Sequence, residues 1–175
     1  MLDRIRRFFD EHIAAPAASV PAPRFASGKN RRPDADPAHA LHLATAALLF
    51  EVSRADFHVH DKELEAMAQI LERQFQLSAD ETRELLDLAR AESDEMLSLH
   101  PFVRLINENF EPDQRARIME DLWQVAYAKG ELDKHQEYTV RKIADLLYVP
   151  HPVYIRTKLK IEEGARDKRQ ETRDK

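Results

Sequence analysis

The chain has no cysteine. Disulfides, thiolate metal sites and thiol catalysis are therefore excluded, and the absence fits a reducing compartment. Glycine is scarce, with 3 in 175 residues, so few positions offer a cheap left-handed turn. No apolar run approaches the ~20 residues that cross a bilayer; the longest apolar-rich stretch lies between Ala44 and Phe50. The N-terminus, MLDRIRRFFDEHI, lacks the continuous apolar segment of a secretory signal and carries Asp3, Asp10 and Glu11. The reading is a soluble, cytoplasmic protein. A net charge of -5 gives no clustered basic face of the kind phosphate neutralisation needs, which argues against nucleic acid as a partner. No nucleophile elbow, P-loop or HExxH motif is present. The His-Pro-Asp tripeptide is missing too, because Phe102 follows His100-Pro101 and Val153 follows His151-Pro152. The expectation is that the protein is not an enzyme.

What is present is helical periodicity. Residues 2–13 form an amphipathic pattern with Leu2, Ile5, Phe8, Phe9 and Ile13 on one face. Residues 14–36 have linker composition, with Pro16, Pro21, Pro23 and Pro33 and no periodic apolar face. From Pro37, with Asp36 as N-cap, the pattern predicts a continuous all-α domain to residue 163, a compact bundle of about seven helices. The first runs to about Ala55, with Leu41, Ala44, Leu48 and Val52 on one stripe. The second runs from His60 or Asp61 to Phe75, and the third opens on the capping box Ser78-x-x-Glu81 and reaches about Leu97. Pro101 and Pro112 open the fourth and fifth, Asp133-x-x-Gln136 caps the sixth, and Pro152 opens the seventh. Residues 164–175 read as a charged tail, with fraying expected from Glu162. Phe50, Phe57, Phe75, Phe102, Trp123 and Tyr127 have the spacing of core aromatics.

The domain repeats itself. Val52–Leu71 lies on Val125–Ala144 without a gap, placing Val52 on Val125, Phe57 on Gly130, Val59 on Leu132, His60 on Asp133 and Ile70 on Ile143. After a one-residue slip, Phe75-Gln76-Leu77-Ser78 falls on Leu147-Tyr148-Val149-Pro150. A hairpin whose apolar face cannot be buried alone, present twice, predicts two hairpins packed on each other.

The segments LLFEVSRADFHVHDKE, FVRLINENFEPDQR and LWQVAYAKGELD, followed by IADLL, resemble the TerB-like family of tellurite-resistance operons. A related domain opens a membrane-anchored DnaJ-like co-chaperone. The resemblance covers roughly residues 38–160. It implies a seven-helix domain with internal two-fold pseudosymmetry, acidic loops proposed to bind metal ions or partners, and no established catalysis. The family's loops resemble Asp-Gly-x-(Ile/Leu)-Asp-x-x-Glu. The first loop here keeps Asp56, Val59 and Glu63 but has Phe57 and His60; the second keeps Gly130, Leu132 and Asp133 but has Lys129 and Gln136. The matching acidic positions, Asp56, Glu63 and Asp133, are the candidate ligands of a divalent cation, which would make a site composed from both copies.

The wider acidic set, Glu51, Asp61, Glu131 and Glu137 with these three, has no EF-hand spacing. The plainer reading is that His60 or Asp61 and Asp133 cap helices and that Glu63 sits favourably in a first turn. His58 and His60 beside Asp61 form a weak transition-metal signal, and unpartnered surface histidines are the commoner case. The leading functional expectation is an interaction or scaffold module of bacterial stress response with an unidentified protein partner. A metal-ion sensor is the alternative. A third reading is a peripheral adaptor, with residues 2–13 in weak contact with the inner-membrane surface.

Overall fold

The computed structural model describes residues 37–95 and 99–173, with side chains at 41–91 and 99–167. The expected N-terminal helix, the linker and the Asp36 cap lie outside the described residues. The described residues form seven α-helices: α1 (Pro37–Ser53), α2 (Asp61–Phe75), α3 (Ala79–Glu95), α4 (His100–Asn109), α5 (Pro112–Ala126), α6 (Lys134–Leu146) and α7 (His151–Arg173). A short 3-10 turn, Arg54–Asp56, follows α1. No strand occurs among the described residues.

α1 is the centre of the bundle and touches α2, α3, α4, α5 and α6. The sequence pattern predicts one apolar stripe on it. The structure instead buries every residue from Leu43 to Phe50, including Thr45, and Val52 and Ser53 as well. A helix apolar on all sides is one that packs on all sides. Ala44, Ala46 and Ala47 keep it slim enough for its neighbours to approach closely. α5 is its counterpart and buries Ile118, Met119, Leu122, Trp123, Val125 and Ala126.

The duplication is visible in the contacts and in the backbone. α1 packs on α2 and α3 as α5 packs on α6 and α7, α1 meets α5, and the cross-contacts α1–α6 and α2–α5 mirror each other. The repeat thus extends beyond the predicted hairpin to three helices per copy, with α4 as connector. The backbone evidence is sharper. Among the described residues, φ is positive at Phe57 (68°), Gly130 (102°), Gln76 (56°) and Tyr148 (53°). These are the two residue pairs that the sequence comparison superposes. Left-handed backbone costs a non-glycine residue about 1–2 kcal/mol, so a chain short of glycine has repeated the same costly turns twice. At Tyr148 the turn is a Schellman motif: Val149 N–H donates to Ala144 O (3.0 Å) and Tyr148 N–H to Asp145 O (3.2 Å).

Elsewhere the predicted caps are largely observed. Ser78 and Glu81 form a reciprocal capping box at 2.7 and 3.3 Å. α7 starts at His151 and extends to Arg173, past the expected start of the charged tail at residue 164, with an i,i+4 pair between Glu162 and Arg166 (3.6 Å). The segment FVRLINENFEPDQR has a structural task. Asn107 Nδ2 donates to Leu146 O (2.9 Å), and Arg115 Nη1 donates to Leu147 O (2.9 Å) and Asn107 Oδ1 (3.2 Å). These donors satisfy carbonyls that the end of α6 leaves open. Phe50, Phe102, Trp123 and Tyr127 are buried and Phe75 is half-buried, stacked on His42 at 3.8 Å. Phe57 breaks the expectation: it is 85% exposed. It sits at a loop apex in left-handed backbone, opposite Gly130 of the other copy, and the apex directs its ring away from the core.

One buried charge on α5 is poorly compensated. Asp121 is 7% exposed, and among the described residues its only ion pair is with the solvent-exposed Arg73 of α2, at 3.5 Å. Burial pushes its carboxyl up to about 7, Arg73 opposing and Glu120 adding to the rise. An unfolded carboxyl titrates near 3.9, so between that value and about 7 the folded form holds the extra proton. The associated stability is complete below about 3.9 and is lost as pH rises through about 7. At about 1.36 kcal/mol per pKa unit the loss is at most about 4 kcal/mol. Thermal melts across pH should show Asp121→Asn matching the parent near pH 4, pulling ahead as pH rises and exceeding it most near pH 8; identical pH profiles for the two proteins would contradict this origin of the slope.

Candidate functional site

The candidate site lies where the loop after α1 meets the loop after α5. Glu63, in the first turn of α2, is 0% exposed, accepts from three donors and has an ammonium within ion-pair distance. Its Oε2 takes Ser53 Oγ–H at 2.9 Å and the N–H of His60 at 3.2 Å. Its Oε1 takes Gln136 Nε2–H at 2.6 Å and lies 3.8 Å from the Lys129 ammonium. Lys129 also donates to Asp56 Oδ2 in a direct ion pair. Asp56 Oδ1 accepts from His58 N–H at 3.2 Å, closing an Asx turn at the end of the 3-10 segment. The His60 ring lies 3.9 Å from Asp56 Oδ2.

These contacts have a common geometry. Lys129 and Asp56 are 73 residues apart, and so are Gln136 and Glu63. That is the offset between the two copies. Each residue touches its own counterpart, as residues beside a two-fold axis do in a symmetric dimer. The pseudosymmetry axis therefore passes through the site. The backbone around it is symmetric and the chemistry is not: carboxylates on one side face an ammonium and an amide on the other.

The electrostatics follow. Burial raises the pKa of Asp56, but the Lys129 hydrogen bond, the His58 N–H, and the charges of Lys129 and His60 outweigh it, and the net shift is downward. Asp56 therefore contributes stability above the ordinary carboxyl value of about 3.9 and loses it as pH falls through its lower folded value.

Of the three predicted ligands, the structure brings Asp56 and Glu63 together through Lys129. Asp133 has a separate role: its Oδ1 accepts from His135 N–H at 2.7 Å as the N-cap of α6, and no hydrogen bond or ion pair joins it to the other two. Gln136, expected to complete a capping box with Asp133, instead turns inward to Glu63. The rest of the acidic set is dispersed. Glu51 pairs with Arg54 at 3.0 Å, Glu137 pairs with Lys158, and Asp61 and Glu131 are exposed. The His58 and His60 rings lie 6.3 Å apart. Among the described residues no group of three or more His, Cys, Asp or Glu side chains could hold a metal ion. A divalent cation does not fit the residues present, because its place among the carboxylate oxygens is taken by the Lys129 ammonium.

Ser53 and Gln136 are members of the site that the sequence reading missed. The copy alignment carried the signal, since a position near a two-fold axis faces its own equivalent. Phe57 stands at the rim, its ring 6.2 Å from that of His135 in an edge-on arrangement, so the two loops share one exposed surface.

Fold and site together define a duplicated helical bundle whose copies meet at a charge-compensated polar axis. A family model described as Tellurite resistance protein TerB matches residues 42–159. The chain belongs to the TerB family. No curated protein and no solved structure matches it. Among the described residues no helix is long and apolar enough to cross a membrane.

The buried network predicts a graded series in denaturant unfolding. Glu63→Ala leaves three donors buried and Lys129 short of a partner, and should cost about 3–5 kcal/mol. Ser53→Ala removes one donor and should cost about 1 kcal/mol. Equal, small losses for both would contradict the central role of Glu63.

Proposed function

We propose that the protein is a non-enzymatic interaction module of bacterial stress response, and that its partner, another protein, docks on the surface formed by the two loops. The observation that carries this reading is Phe57. A bulky residue in left-handed backbone costs free energy, its counterpart in the other copy is the expected glycine, and its ring is exposed. Local rules of stability are broken most often where function requires it. Aromatic side chains are also over-represented among residues that dominate protein–protein binding energy. The His135 ring stands edge-on at 6.2 Å and adds a polar group at its rim. The symmetric core and locked axis hold this surface rigid, which lowers the ordering cost of binding. The structure gives the cation-sensor alternative no comparable support, because Lys129 stands among the oxygens a sensor would use.

A photo-crosslinking residue at position 57, in cells under tellurite or oxidative stress, should trap a discrete adduct that the same residue at position 159 on α7 does not; identical adduct patterns would count against the surface. Phe57→Gly should leave the fold as stable as the parent or about 1 kcal/mol more stable, while abolishing the adduct's competition by untagged protein. A large loss of stability would make Phe57 structural instead. The second reading, peripheral contact with the inner membrane, draws on the amphipathic face of residues 2–13. Co-sedimentation with anionic vesicles tests it: pelleting should fall when residues 1–13 are removed, and equal pelleting of both forms would dismiss it.

A further inference from the structure

We propose that Lys129 is a tethered counter-ion that permanently fills the cation position on the pseudo-two-fold axis, and that replacing it turns the same ring of oxygens into a divalent-cation site. The inference does not depend on the docking surface proposed above.

Three observations carry it. First, the Lys129 ammonium lies between two carboxylates from the opposite copy, bonded to Asp56 and 3.8 Å from Glu63. It comes from the position that superposes on Asp56 itself, so one copy supplies the charge that balances the other. Second, Gln136 is 0% exposed and gives Nε2–H to Glu63, while its Oε1, equally buried, has no hydrogen-bond partner. A buried amide oxygen without a donor, on a side chain bonded to the Glu63 carboxylate, is an acceptor in want of a cation. Third, the axis fixes what a substitution would do. Asp56 and Glu63 each touch their counterparts, so carboxylates placed at positions 129 and 136 would converge on them from the other copy. Four carboxylates in one partly buried site repel strongly unless a cation joins them. Hard divalent cations take such oxygens readily.

The chain thus keeps the loops joined without drawing on an exchangeable ion. A covalently held ammonium is present at unit stoichiometry, and its hold on the loops needs no free divalent ion from the surroundings. This makes the junction constitutive, whereas an exchangeable ion would make it conditional.

The test uses the full chain and compares the parent with Lys129→Asp, with Lys129→Asp plus Gln136→Glu, and with Lys129→Met, which removes the charge and adds no oxygen. Thermal melts are run in EDTA and then in millimolar calcium or magnesium, followed by titration calorimetry with calcium. An ion that binds only the folded state raises the melting temperature by mass action. The parent should show no shift. The double variant should melt lower than the parent in EDTA, regain stability saturably with calcium, and bind about one ion per chain, at least about tenfold tighter than Lys129→Met. If the double variant is unfolded in EDTA, recovery of helical circular dichroism on adding calcium is the expected result, and the single Lys129→Asp variant gives the binding measurement. A calcium- or magnesium-dependent rise in the parent would overturn the proposal, and so would absence of ion binding in both carboxylate variants.

Discussion

Taking a carboxylate out of water costs several kcal/mol unless donors replace the lost solvent, and the centre of this domain is arranged to supply them to Glu63. One donor comes from the end of α1 (Ser53), one from the backbone at the start of α2 (His60), one from α6 (Gln136), and the nearby ammonium from the loop after α5 (Lys129). Four segments of the chain therefore converge on one side chain. The apolar core around α1 and α5 brings the two copies together. The Glu63 network fixes how they are aligned, because each donor satisfies the carboxylate only in one arrangement.

The repeat resolves into two layers of information that have diverged. The backbone layer is retained even where it is costly: all four left-handed residues fall on superposed positions, three of them without the glycine that would ease the turn. The side-chain layer at the axis has become asymmetric, with Asp56 facing Lys129 and Glu63 facing Gln136. Neutralisation of like charges at a symmetry axis can come from an ion or from a changed residue. This chain does it with residues. What remains outside the polar axis is a shared loop surface that carries Phe57, a large exposed ring held in left-handed backbone.

The fold class, the seven helices and the superposition of copies were legible because each rests on local chemistry: apolar periodicity, Ser78-Glu81 capping, and prolines at helix starts. Three features were not. The all-round burial of α1 was read as a single stripe, because a helix's neighbours are set by tertiary packing and small residues such as Ala46 and Ala47 carry little polarity contrast. Phe57 was assigned to the core on residue type, when its left-handed backbone placed it at an apex; only its alignment with Gly130 hinted at that. Asp133 was grouped with Asp56 and Glu63 because the family pattern lists all three, yet it faces its own helix terminus, where an N-cap needs an acceptor. The partners of Glu63 were hidden for a related reason. Ser53 matches no site motif and Gln136 stands where the loop pattern has Glu; their role becomes visible only once the symmetry axis is located.

Counterpart residues pair across the axis, and this pairing sets the alignment of the copies. Its most direct measurement is a charge exchange within one such pair, Asp56→Lys with Lys129→Asp, compared with each single variant by denaturant unfolding in EDTA. Each single change should destabilise the domain by placing like charges together. The exchange should recover much of the loss, with a coupling of about 1–3 kcal/mol. Strictly additive losses would contradict the claim, because they would mean that Asp56 and Lys129 do not act on each other.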